Sequence, residues 1–158
     1  MKKRVLAIVC MLAMVLSLAA CGGAPAADDG KFTVGICQLT EHEALDAATQ
    51  GFQDALTEAL GEKVEFKLQN AQNDSNTCST IINGFVSSNV DLILANATPA
   101  LQAAAAGTNE IPILGTSITE YGVALEIDNF EGTVGGNISG TSDLAPLDEQ
   151  AEMLHTWF

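Results

Sequence analysis

Basic side chains are scarce in this chain. Six Lys and Arg stand against 20 Asp and Glu, for a formal net charge of −14. A chain of that balance is repelled by phosphate backbones and anionic headgroups, which argues against nucleic acid as a partner. Aromatic residues make up only 5% of the sequence, so any core must be aliphatic, as the buried strands of parallel α/β sheets are. No apolar run reaches the roughly 20 residues that span a bilayer. Also missing are a G-x-S-x-G elbow, a P-loop and a dinucleotide fingerprint. A hydrolase or flavodoxin-like enzyme therefore stays only as an alternative at the level of the fold. The two His and four Cys show no metal-ligand spacing, and no residue pattern calls for a cofactor.

What is present begins with a targeting pattern. Lys2, Lys3 and Arg4 precede the uncharged apolar run Val5 to Leu18, as in a secretory leader. The run ends in Leu18-Ala19-Ala20-Cys21, which resembles the lipobox of bacterial lipoproteins, where cleavage leaves the Cys as the lipidated first residue. Ordinary cleavage after Ala20 with an incidental Cys is the alternative. Residues 1–20 are expected to be a signal peptide and residues 21–30 a flexible Gly/Ala/Pro-rich tether. The rest would then sit outside the cytoplasmic membrane, held through lipid on Cys21; stable anchoring needs two acyl chains, since one holds only marginally. Removing the leader leaves Lys31, Lys63 and Lys67 against 20 acids, a net charge of −17. Cys10 would leave with the leader, so only Cys37 and Cys78 remain for the folded part. They read as buried, unpaired thiols, with a bridge as the alternative in an oxidising compartment.

The 128 residues after the tether suffice for one domain with a single core. Phe32 to Gln38 reads as a central strand. A helix from about Glu43 to Leu60 follows, with Leu45, Ala48, Phe52, Ala55, Leu56 and Ala59 on one face and Gly61 ending it. Val64 to Leu68 alternates like an edge strand. Asn73 or Asp74 caps a second helix from about Ser75 to Ser88. Asp91 to Ala95 is an almost unbroken apolar run, the pattern of a strand covered on both faces. Thr98 is expected as N-cap and Pro99 as first residue of the alanine-rich helix that follows. Ile111 to Gly115 is a fourth strand, and Val123 to Ile127 reads as a short fifth one. Gly132 to Gly140 is expected to be a bend where the chain crosses between lobes. Leu144, Leu147, Ala151 and Leu154 outline a last helix.

The order βαβαβαβ implies an α/β fold with a parallel, doubly wound sheet. A strand order of 2-1-3-4 puts a switch point between the first and third strands. Three polar turns then line one crevice at the carboxyl edge: Thr40 to His42, Ala97 to Pro99, and Thr116-Ser117. The helix starting at Pro99 can receive a carboxylate, a contact worth about 0.3–1 kcal/mol when exposed.

Thr33-Val34-Gly35-Ile36-Cys37-Gln38 with Glu41-His42 and Ala44-Leu45-Asp46, then Gln69 to Gln72, Val90 to Ala100 and Gly135 to Asp143, together resemble the TrpX-like substrate-binding lipoproteins of ABC transporters. The likeness runs from about Lys31 to Leu154. It implies one lobe of a type I periplasmic-binding protein over residues 31–131, and an inter-lobe crossover with a terminal helix over 132–158. It also implies capture of a small molecule, often an aromatic amino acid, for delivery to an ABC permease without chemistry. The positions that match are Glu41 and His42, Thr98 and Pro99, and Thr141, Ser142 and Asp143. With Thr116 these are the expected ligand-binding residues: Glu41 or Asp143 for an ammonium, the hydroxyls for orientation. Structural alternatives remain for three of them: Glu41 as a solvated acid, His42 as a turn residue, Asp143 as a helix cap. Three departures stand out. Thr116 to Tyr121 replaces the more usual Thr-Asp-Pro type of loop, the ending His155-Thr156-Trp157-Phe158 is atypical, and a second lobe is expected to be missing. A ligand-sensing module of a receptor shares this topology and is the other functional alternative.

Overall fold

In the computed structural model, residues 30–157 are described; the expected signal peptide, Cys21 and all of the expected tether but Gly30 lie outside them. Five strands, β1 (Phe32–Gln38), β2 (Val64–Asn70), β3 (Leu92–Asn96), β4 (Ile113–Ile118) and β5 (Ile138–Ser142), form one sheet in the order β2-β1-β3-β4-β5. Every neighbouring pair is parallel. The helices are α1 (Glu43–Leu60), α2 (Ser75–Ser87), α3 (Thr98–Gly107), α4 (Tyr121–Ala124) and α5 (Leu147–Trp157). None of them is long and apolar enough to cross a membrane.

Strand alternation sorts the apolar residues onto two faces. On one, Cys37, Ile93, Ala95 and Ile113 pack with Ile81, Ile82 and Phe85 of α2 and Ala100, Leu101 and Ala104 of α3. On the other, Val34, Ile36 and Leu94 meet Phe52 and Leu56 of α1. Phe85 lies so close to β1 that a Cβ on Gly35 would stand 2.7 Å from its ring. The switch point falls between β1 and β3, as the sequence predicts.

The caps explain most element boundaries. His42 Nδ1 accepts from the Ala44 amide at 3.2 Å and Asp74 Oδ1 from the Thr77 amide at 2.8 Å, each satisfying a donor that the first helical turn leaves unpaired. Gly61 closes α1 at φ 60°.

Four sequence expectations are corrected. Thr98 is not the N-cap of α3, and Pro99 is not its first residue. The chain leaves β3 through Ala97 at φ 88°, whose carbonyl accepts from Ala100 and Leu101 at 3.1 Å, so Thr98 is already helical. The short strand expected over Val123 to Ile127 is replaced by the turn of helix α4, because the Glu120 carboxylate takes the amides of Gly122 (2.8 Å) and Val123 (2.5 Å). The glycine-rich bend ends in a further strand, β5, which the sequence reading does not contain. The last helix starts at Leu147, after Pro146, and excludes Leu144.

Candidate functional site

The carboxyl ends of β1 and β3 carry a buried polar cluster. Gln38 and Asn96 are register partners, and both lie in phase with the residues that face α1. They are 4% and 0% exposed. Burying two amides at the end of an apolar row is unfavourable unless their hydrogen bonds are made. Asn96 Nδ2 donates to Leu45 O at 2.8 Å and to Thr49 Oγ1 at 2.9 Å. The Thr49 hydroxyl donates to Gln38 Oε1 at 2.6 Å. Gln38 Nε2 in turn donates to Asp46 Oδ1 at 2.6 Å and to Thr40 O at 2.9 Å. The donors thus run in one direction, from Asn96 through Thr49 and Gln38 to the Asp46 carboxylate. Asn96 Oδ1 meets no donor among the described residues.

Gln38, Asp46 and Thr49 of this cluster line a cavity of about 360 Å³ together with Glu41, Gln50, Gln53, Leu68 and Asn70. A second cavity of about 330 Å³ lies over β3, β4 and β5, where Phe52, Leu94 and Leu114 give an apolar wall and Thr116 and Thr141 a polar one. Of the residues singled out from sequence, Thr116 and Thr141 are therefore brought together, and Glu41 lines the other cavity. His42 is exposed and serves as the N-cap of α1. Thr98 and Pro99 open α3 beside Thr116, whose carbonyl accepts from Ala97 N at 3.0 Å. The Ser142 hydroxyl donates to Thr119 O at 2.8 Å and accepts from Leu144 N at 3.3 Å. Asp143 follows β5, its amide bonded to Ile118 O, and its charge adds to burial in raising the Tyr121 phenol above its ordinary value.

Sequence reasoning passed over Gln38, Thr49 and Asn96 as site residues. A signal did exist for two of them. Val34-Ile36-Gln38 and Leu92-Leu94-Asn96 are rows of period two, and the last member of each points inward with the rest.

Cys37 and Cys78 are free and buried, as expected. Burial, with the Cys78 thiol beside it, pushes the Cys37 thiol far up, away from the reactive thiolate. Among the described residues no group of three or more His, Cys, Asp or Glu is placed to hold a metal ion.

A parallel sheet wound on both faces, with its polar turns gathered at the carboxyl edge of a switch point, is the α/β lobe of a periplasmic-binding-protein fold. The chain belongs to the family of ABC transporter substrate binding proteins, whose family model matches residues 33–158. That is a family of solute-binding proteins, not of enzymes. A curated relative, the tyrosine-binding protein of Clostridioides difficile (strain R20291), is 42% identical over 126 residues, covering 78% of this chain and 36% of its own. The ligand-free, open structure of a substrate binding protein with adhesive properties from Clostridium difficile is 41% identical, with a TM-score of 0.73. It covers 80% of this chain and 43% of that one. An ABC domain from Streptococcus pneumonia, solved in complex with L-Trp, is 29% identical with a TM-score of 0.71, covering 78% and 42% of the two chains. The chain thus spans about a third of the length of the curated relative it matches.

Proposed function

We propose that this chain provides the amino-terminal ligand-binding lobe of an extracytoplasmic lipoprotein that captures an amino acid, with aromatic amino acids as the first candidates, for delivery to an ABC permease. The observation that carries this reading is the set of polar turns after β1, β3 and β4 at one edge of the sheet, in a chain 42% identical to a tyrosine-binding protein. The α-carboxylate is taken at the start of α3, the ammonium is answered by Glu41 or Asp143, and Thr116, Thr141 and Ser142 orient the ligand. Cys21 carries the lipid anchor, by the lipobox pattern at residues 18–21.

The described residues form one wall of such a site, and a wall alone leaves much of a ligand in water, so affinity for this chain alone is weak. A heteronuclear NMR titration reads weak binding residue by residue. L-tyrosine and L-tryptophan are expected to shift the amides of residues 40–42, 97–98, 116–117 and 141–143. Shifts confined to other surfaces, or none with any of the common amino acids at millimolar concentration, would overturn the reading.

A further inference from the structure

We infer that Asn96, Thr49 and Gln38 are the positioning residues of the carboxyl edge: they hold the turn after β1 and the turn after β3 in one fixed relation. The inference rests on the proposed reading for its functional meaning, since those two turns are the ones assigned to the ligand. The contacts come from both sides. Asn96 ends β3, immediately before Ala97, and its side chain reaches the first turns of α1 at Leu45 O and Thr49 Oγ1. Its own carbonyl accepts from Leu39 N at 3.2 Å. Gln38 ends β1 and grips the turn that follows at Thr40 O, and α1 at Asp46.

Apolar contacts allow a helix to slide or roll on a sheet by small amounts, because they are not directional. A chain of hydrogen bonds with one donor order does not, and one ending on a carboxylate is polarised along its length. Leu at 38 and 96 would have continued the rows Val34-Ile36 and Leu92-Leu94, and buried polar groups are often no more stabilising than hydrocarbon of similar volume. The amides therefore contribute position, and what they position is Glu41 and His42 on one side and Ala97 to Pro99 on the other.

The experiment compares Thr49→Val, which keeps shape and removes the hydroxyl, with Thr49→Ser, which keeps the hydroxyl, and with Asn96→Leu. Amide hydrogen exchange is read on the full chain, with thermal melts as the control for global stability. In Thr49→Val and Asn96→Leu the amides of Leu39, Asp46 and Ala97 are expected to exchange about tenfold faster relative to those of α2, by local opening. Thr49→Ser restores the native pattern. Equal acceleration throughout the sheet and α2, or no change at the two turns, overturns the inference, as does failure of Thr49→Ser to rescue. None of these readouts uses a ligand, so a negative amino-acid titration would sink the proposed function and leave this inference standing, and the reverse holds equally.

Discussion

The Tyr121 hydroxyl lies 3.0 Å from the carbonyl oxygen of Gly115 and 3.2 Å from that of Thr141, so one side chain ties β4 to β5. β5 is an edge strand with four of its five residues exposed, and it carries Thr141 and Ser142. Tyr121→Phe is expected to lower stability by about 1 kcal/mol, the net worth of a neutral hydrogen bond. The amide of Asp143, bonded to Ile118 O, should lose exchange protection ahead of β1 and β3. Protection at Asp143 equal to that of the central strands would contradict this.

Alkaline pH should destabilise the fold. Burial raises Cys37 and Cys78 above the ordinary thiol value of 9.0 and Tyr121 above 10.0. Between the unfolded and folded values the unfolded chain has released protons that the native state keeps. Stability is therefore fully present below about pH 9 and falls as pH rises above it. Urea midpoints from pH 7 to 11 check this, and Cys37→Ala with Cys78→Ala should flatten the first part of the fall.

Gly35 is kept small by Phe85. A Cβ there would meet the ring at 2.7 Å, and Phe85 is 1% exposed inside the α2 face of the core. Gly35→Ala should cost about 1–3 kcal/mol through overpacking. Pairing it with Phe85→Leu should recover part of the loss, which a thermal melt would show as non-additivity.

The single Trp reports on α5. Leu147, Leu154 and Trp157 are 65%, 57% and 72% exposed, an apolar stripe in contact with water. The dilute chain should therefore emit like water-exposed indole and be quenched readily by acrylamide. A blue shift on concentration, abolished by Leu154→Glu, would show the stripe associating with itself. A blue-shifted spectrum at high dilution would contradict the exposure.

Elements with strong periodicity were legible from sequence. α1 shows its inward face at spacings of three and four through Leu45, Ala48, Phe52 and Leu56, which are half-buried, although Ala55 and Ala59 of the expected face are exposed; β1 and β3 are nearly unbroken apolar runs. The expected order of the first four strands holds for the same reason, since chain order and right-handed crossovers leave few options. What stayed hidden depends on backbone or long-range detail. β5 contributes only Ile138 to the core, so ISGTS carries no period. The positive φ of Ala97 has no marker in an alanine, and the Glu120 cap competes with an apolar stretch that suits a strand equally well. The polar cluster joins Thr49 to Asn96 across 47 positions, a pairing that only the folded sheet discloses.

That pairing also guards the assembly of the sheet. Were β3 to slip by one residue against β1, its side chains would exchange faces. Asn96 would then enter the hydrocarbon between α2 and α3 with its amide unmet, at about 1–3 kcal/mol for the stranded group. Ile93 and Ala95 would turn toward α1. The apolar residues of β3 alone discriminate weakly between the two alignments, because both faces of this strand are buried. One amide at its carboxyl end makes the wrong alignment costly before the site is ever used.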